Sequence, residues 1–543
     1  MEDRNNKFIR GAFILTVAGI ISRMLGPVYR LPLASLLGDE GIGLYQMAYP
    51  IYTSILAIST AGIPVAISKL VAEKVAEGNQ AQAMRVFRIA LLILFIIGLA
   101  SSLGLFFGAG YLANNILQDP RAYYAIIGIS PAIFLVSVMA AFRGFFQGQQ
   151  NMVPTAISKV IEQIVRVATV FVLAVILLPR GLEYAAGGAT FGAVTGALAG
   201  LVLLIGIYYR SRSKYSVEHG EENEHIKETT RTIAYRIAHL AIPISLGGLV
   251  MPVMQALDTI IVPSRLQAAG YAITEATALF GQLTGMAAPL INLPTIFTYA
   301  LATSLVPAIS EALSLNNREL AKIRAYTGIR LTFVITIPAA AGLFFLAEPI
   351  SWMLYNNKEA AIPLMFLSWG LIFLCLQQTT AGALQGMGKT TLPVRNLLMG
   401  AIVKVIVSYT LTGIPAIAIR GAALGSVLGF LVASGLNLRE VKKYLSIPFD
   451  YKEMLIRPMA AAATMIVFVL GSFHLITAVV SRWDVTERMT AGIAAMGSIG
   501  IGLLVYLLVL LVFGVIRMAD AELFYLEDSK PVVFLYRIGL LRR

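Results

Sequence analysis

Ile89-Ala-Leu-Leu-Ile-Leu-Phe-Ile-Ile-Gly-Leu-Ala-Ser-Ser-Leu-Gly-Leu-Phe-Phe-Gly-Ala-Gly-Tyr-Leu112 contains no charged side chain and is fenced by Arg88 before it and Asp119 after it. Wound as a helix at about 1.5 Å per residue it spans roughly 36 Å, more than the ~30 Å hydrocarbon core of a bilayer. Runs of this kind recur along the whole chain. Of its 543 residues 58% are hydrophobic and 13% charged, with a mean hydropathy of +0.78, whereas soluble domains are about 25% charged. A soluble globular fold is excluded. The single cysteine, Cys375, allows no intrachain disulfide, and His219, His225, His239 and His474 have no metal-ligand spacing, so no disulfide scaffold, metal or cofactor is expected.

Apolar runs bounded by charge or turn residues place helices near 11–37, 42–67, 89–112, 123–142, 160–178 and 185–208, then near 237–262, 275–306, 331–351, 362–384, 396–414 and 419–438. Two more lie near 458–480 and 490–516, so the expected fold is an all-α polytopic membrane protein of about fourteen transmembrane helices. Its 42 Lys and Arg divide sharply: 31 fall on one side, seven (Arg121, Arg180, Arg265, Lys358, Arg420, Arg482 and Arg488) on the other, and four within the runs. The positive-inside rule then puts both termini in the cytoplasm of a multi-pass plasma-membrane protein. The net charge of +13 is thus read as topology, with no nucleic-acid partner implied. The first run carries two arginines and lacks a small-residue cleavage site, so it is expected to remain as a helix.

Set against itself at an offset of about 240 residues, the chain brings short strings into register. Gly144-Phe-Phe-Gln147-Gly148 meets Gly382-Ala-Leu-Gln385-Gly386, Ala66-Ile67-Ser68 meets Ala308-Ile309-Ser310, and Gly188, Gly192 and Gly196 meet Gly421, Gly425 and Gly429. The glycines recur at every fourth position, the spacing that lets helices approach closely in lipid. The expected organisation is a six-helix lobe at 1–209, a cytoplasmic linker at 210–236, a second six-helix lobe at 237–445 and, over 446–543, two further helices with a tail. The two lobes are expected to be related by a pseudo-two-fold axis along the membrane normal.

Four cations fall inside the runs: Arg23 and Arg30 on helix one, Arg166 on helix five and Lys404 on helix eleven. A charge at mid-bilayer costs about 2.5–3.5 kcal/mol on insertion scales. Arg23 and Arg30 are one heptad apart, about 20° around the helix, and share a face. Glu162 precedes Arg166 by one turn in the favourable order for an ion pair, and Asp258 is an acidic residue on helix seven. This set leaves about two positive charges in a region that must be wet or enclosed by protein, which favours an anionic guest. Other roles stay open: Glu162 with Arg166 as a structural pair, Arg30 and Lys404 snorkelling toward headgroups, and Tyr45, Tyr49 and Tyr52 as packing or interface residues.

Ser22-Arg23-Met-Leu-Gly26-Pro-Val-Tyr29-Arg30, Pro64-Val-Ala-Ile-Ser68-Lys69, Arg143-Gly144-Phe-Phe-Gln147-Gly148-Gln-Gln-Asn151-Met-Val-Pro154 and Ile161-Glu162-Gln163-Ile-Val-Arg166 resemble the polysaccharide-flippase branch of the multidrug/oligosaccharidyl-lipid/polysaccharide exporter superfamily. Within it they look most like the stage V sporulation protein B group, close to the lipid II flippases, over essentially the whole chain. The resemblance implies two six-helix lobes, alternating access and transport of an undecaprenyl-pyrophosphate-linked sugar, with the two extra helices offering a groove for the lipid tail. It maps the family's helix-one arginines onto Arg23 and Arg30. The further arginine on helix two and the acidic-arginine pair on helix eight of Gram-negative relatives have no counterpart in 51–59 or 278–293. Of the acidic ligands for a sodium ion on helices seven and eleven of some relatives, only Asp258 is available.

The residues therefore point to a flippase for a lipid II-like precursor or a polysaccharide repeat unit, serving cell wall or spore cortex synthesis. Its expected binding residues are Arg23, Arg30, Glu162, Arg166 and Lys404, with Asp258 as the ion-coupling candidate. Gly26, Gly144, Gln147, Gly148, Gln385 and Gly386 are expected to shape the fold. The expected partners are the lipid-linked oligosaccharide, membrane lipids and cell-wall synthesis enzymes, with the protein a monomer. A cation-coupled multidrug exporter is the alternative, although it should favour intramembrane carboxylates. An intramembrane glycosyltransferase or ligase would need an acid–base constellation on a large outer loop, and the outer loops are short, so no enzyme is expected.

Overall fold

The computed structural model describes residues 2–60, 62–215, 228–447 and 450–514, with side chains from Tyr29 onward except at 212–215, 243, 244, 246 and 247. Described residues form helices throughout, in two compact units, Met1–Gly281 and Gln282–Arg543.

The first unit contains α1 (Glu2–Thr60), α2 (Ile63–Ala76), α3 (Gln80–Tyr111), α4 (Ala122–Gly148), α5 (Val153–Leu177), α6 (Leu182–Tyr215), α7 (Thr230–Ala268) and α8 (Ile273–Gly281). The runs expected at 11–37 and 42–67 are the two arms of α1, bent at Gly38, whose φ of 71° and ψ of −176° only glycine adopts readily. The second arm ends sooner than expected, because Gly62 and then Pro64 in the first turn start α2 as a separate helix. Around the interior, α4 packs on α1, α2, α3 and α6, and α5 packs on α1 and α6. α7 lies against α1, α2 and α3. The boundary between compact units therefore falls after α8, well past the polar linker. Much of α3 faces outward through Leu92, Phe95, Ile96, Phe106 and Phe107, the surface that a lipid-facing helix presents.

The second unit contains α9 (Ala288–Ser314), α10 (Arg318–Phe345), α11 (Ala347–Tyr355), α12 (Ala361–Gly386), α13 (Thr391–Thr412), α14 (Ile419–Leu445), α15 (Arg457–Val480) and α16 (Glu487–Val512). α12 packs on α9, α10 and α14, α13 on α14, and α15 on α16 and α10. Asn79, Thr229, Asn317 and Thr486 cap the starts of α3, α7, α10 and α16 with side-chain oxygens. Among the described residues thirteen helical segments are long and apolar enough to cross a bilayer. The first of these starts at Tyr29, so the earlier part of α1 makes the expected number of about fourteen.

Candidate functional site

Arg166 is 8% exposed on α5, and its depth follows from the face of α6 that it meets. A methyl group on Gly196 would lie 2.6 Å from the Glu162 carbonyl oxygen and 2.9 Å from Arg166 Cβ, and one on Gly192 would lie 3.0 Å from the Arg166 carbonyl oxygen. Glycine at both positions lets the two backbones close around the pair. Arg166 Nη2 donates to Glu162 Oε1 at 2.6 Å, the expected one-turn ion pair. Glu162, itself 7% exposed, accepts a second charge-assisted bond at Oε2 from Arg143 Nη2, at 2.9 Å, and Arg143 Nε donates to Ser158 Oγ at 3.0 Å. Arg143 was expected at the cytoplasmic rim; it instead reaches in from α4 and shares the carboxylate.

The second arm of α1 brings tyrosines to the same region. Tyr45 stacks on Tyr49 with ring centroids 5.8 Å apart, and Tyr49 meets Tyr52 at 5.8 Å. Arg30 places its guanidinium 4.9 Å from the Tyr49 ring centre, a cation–π contact, while the Tyr29 and Tyr45 hydroxyls share a hydrogen bond at 3.0 Å. Arg30 lies within electrostatic reach of Tyr29, Tyr45 and Tyr49, and Arg166 within reach of Tyr29, Tyr49 and Tyr52. Tyr45 and Tyr52 are buried, as packing residues would be, but Tyr49 also carries a cation. Their helical spacing was visible beforehand; the arginines they would meet were not. Arg30, Arg143 and Arg166 against Glu162 leave two net positive charges in this described set.

The second unit repeats one part of this, a buried cation against a glycine stripe. Lys404 is 6% exposed on α13, at the spacing from Arg166 that relates Gly382 to Gly144. It rests on the second glycine stripe: a methyl group on Gly429 would lie 2.8 Å from Lys404 Cβ, and one on Gly425 would lie 3.0 Å from its carbonyl oxygen. Each stripe found in the sequence thus meets a buried cation on the neighbouring helix, Arg166 on α5 and Lys404 on α13. One more cation of the second unit, Arg330 on α10, is also buried, at 3% exposed. Asn396 and Asn437 join α13 to α14 by a buried hydrogen bond of 3.0 Å.

The remaining expected residues divide. The side chain of Arg23 lies outside the described residues, and Gly26 has open space where a Cβ would go. Asp258 is half-buried on α7. Gly144 and Gly148 bring α4 against α2, where added methyl groups would lie 2.8 Å from the Pro64 carbonyl oxygen and 2.6 Å from Val71 Cβ. Gly386 does this for α12 on α9, at 2.9 Å from the Val306 carbonyl oxygen, so these contacts are one helical turn out of step with the sequence match. Gln147 is half-buried and Gln385 exposed. Among the described residues no three His, Cys, Asp or Glu side chains converge on a metal-sized point.

Residues 8–313 match the family described as polysaccharide biosynthesis protein, and residues 243–410 match the MatE family. The stage V sporulation protein B of Bacillus subtilis (strain 168) is 31% identical over 94% of this chain and 96% of its own length. The lipid II flippase MurJ of the same organism is 28% identical over 93% of this chain and 95% of its own. Among solved structures, lipid II flippase MurJ in an inward closed conformation superposes with a TM-score of 0.64 at 16% identity, covering 92% of this chain and 98% of that one. An inward-facing multidrug resistance MATE family transporter gives 0.63 at 16% identity, covering 80% and 98%. The chain belongs to the polysaccharide biosynthesis protein family, in the flippase branch of the multidrug/oligosaccharidyl-lipid/polysaccharide exporter superfamily.

Proposed function

We propose that the protein is a flippase that carries an anionic, pyrophosphate-linked lipid precursor of the lipid II type across the cytoplasmic membrane by alternating access. The observation that carries the reading is the excess of cations in the interior of the first unit: Arg143 and Arg166 share the Glu162 carboxylate and Arg30 sits over the Tyr49 ring, three positive charges against one negative. A pyrophosphate diester between a polyprenol and a sugar also bears two charges, so its entry would neutralise the set. The name of one relative, the lipid II flippase MurJ, supports the same chemistry. Arg30 and Arg166 are the proposed phosphate ligands, Tyr49 is the platform that orients Arg30, and Lys404 is proposed as an anion ligand within the second unit. Both termini are proposed to be cytoplasmic, the repeats to be 1–209 and 237–445, and Asp258 to serve any ion coupling.

Cationic drug export is the second reading, favoured by the likeness to multidrug transporters, but a cationic guest would meet repulsion from Arg30 and Arg166. The purified protein in liposomes tests both. Fluorescent lipid II should cross more rapidly than in protein-free vesicles and compete with other undecaprenyl-linked glycans, while a cationic dye should not be pumped. Dye transport without lipid movement would reverse the choice.

A further inference from the structure

We infer that Glu162 is an internal competitor for the substrate: its carboxylate holds one corner of the Arg166 guanidinium, and a substrate phosphate must displace it to bind. The inference rests on the flippase reading above and names how that site exchanges its anion.

The two arginines on Glu162 differ in how their donors are used. A guanidinium presents Nε and Nη2 along one side edge, the pair that grips two oxygens of a carboxylate or phosphate together. On Arg143 both corners are occupied, Nε by Ser158 Oγ at 3.0 Å and Nη2 by Glu162 Oε2 at 2.9 Å. On Arg166 only Nη2 of this edge is engaged among the described residues, at 2.6 Å by Glu162 Oε1, while Nε is buried with no hydrogen-bond partner among them. A buried donor left unpaired is costly, and an anion offering two oxygens would satisfy both corners at once. Glu162 can give up Arg166 without being stranded, because its other oxygen stays on Arg143. The carboxylate therefore balances Arg166 between substrates and weakens the hold on each one that binds, which favours release on the far side.

Binding and transport respond in opposite directions if this is correct. With the full-length protein in lipid nanodiscs, titrated calorimetrically with inorganic pyrophosphate, Glu162→Gln should bind about tenfold more tightly than the native protein. In liposomes the same variant should flip fluorescent lipid II more slowly, with a lower half-saturating concentration. Glu162→Asp keeps the charge but is one methylene too short to span both arginines, so it should bind with intermediate affinity and guards against misfolding of the neutral variant. Unchanged or weaker pyrophosphate binding in whichever of these variants folds would overturn the competitor role, leaving Glu162 a structural partner. The flippase reading fails separately, and the competitor role with it, if Arg166→Ala binds pyrophosphate as the native protein does or if the native protein does not bind it.

Discussion

Replacing Gly196 with alanine adds one methyl group where α6 crosses α5, at the level of the buried ion pair. Its Cβ would stand 2.6 Å from the Glu162 carbonyl oxygen and 2.9 Å from Arg166 Cβ. Ordinary contacts begin near 3.4 Å, so the α5 backbone must retreat by roughly 0.8 Å at the carbonyl. Overpacking of this kind costs about 1–3 kcal/mol, too little to unfold a membrane protein of this size but enough to lower its thermal midpoint. The functional effect should be larger, because a displacement near 1 Å of a positioned group costs on the order of 100-fold in rate. Gly206 on the same helix has nothing within 4 Å of its notional Cβ, and Gly206→Ala is the control. Lipid II flipping in liposomes should fall at least about tenfold in Gly196→Ala and stay unchanged in Gly206→Ala, with both proteins extracted as monodisperse particles. Native transport by folded Gly196→Ala would refute the claim that the glycine stripe exists to seat the cation.

The reversed pair Glu162→Arg with Arg166→Glu moves the positive charge by one helical turn, about 6 Å; it should fold yet remain inactive, and recovery of native flipping would return the pair to a structural role. Arg23→Ala should insert normally and lose transport, with Arg23→Lys partly active because an ammonium is a point charge and not a planar fork; undiminished transport by the alanine variant would exclude Arg23 as a ligand. On a Cys375→Ser background, a cysteine at Glu77 should react with an impermeant reagent only from the cytoplasmic side and one at Lys358 only from outside, and the opposite pattern would invert the topology. The Lys74 ammonium at 3.0 Å, helped by Arg236, holds the Glu228 carboxyl below the usual carboxylate range. A depressed folded value gives stability above the unfolded value near 4.3 and loses it as pH falls through the folded value. The penalty of Glu228→Gln, under about 1 kcal/mol, should therefore be constant from pH 7 to about 5 and vanish in stronger acid, as read from thermal midpoints; a penalty that disappears already near pH 6 would contradict the pairing.

Charge-free runs such as 89–112 announce themselves, so the helical inventory was legible in the sequence, and so was the pairing of Glu162 with Arg166, which needs only one turn of helix. Arg143 was not, because hydropathy marks where a helix leaves the bilayer and says nothing of which way a long side chain at its end points. Arg143 turns inward to a carboxylate on another helix. The glycine stripes were read as close-packing sites, but their relation to Arg166 and Lys404 needed the crossings of α5 with α6 and α13 with α14. The bend of α1 at Gly38 was marked only by a glycine followed by two acids, a weak signal in a chain with 47 glycines.

In the proposed site Arg30 and Arg166 recognise a dianionic pyrophosphate. Flipping rates for two lipids of the same polyprenol and sugar, one joined through pyrophosphate and the other through a single phosphate, test it most directly in liposomes of native protein and Arg166→Ala. The native protein should prefer the pyrophosphate lipid by at least about tenfold, 1.4 kcal/mol, and the preference should collapse in Arg166→Ala. Equal rates for the two lipids, or a preference that survives without Arg166, would contradict it.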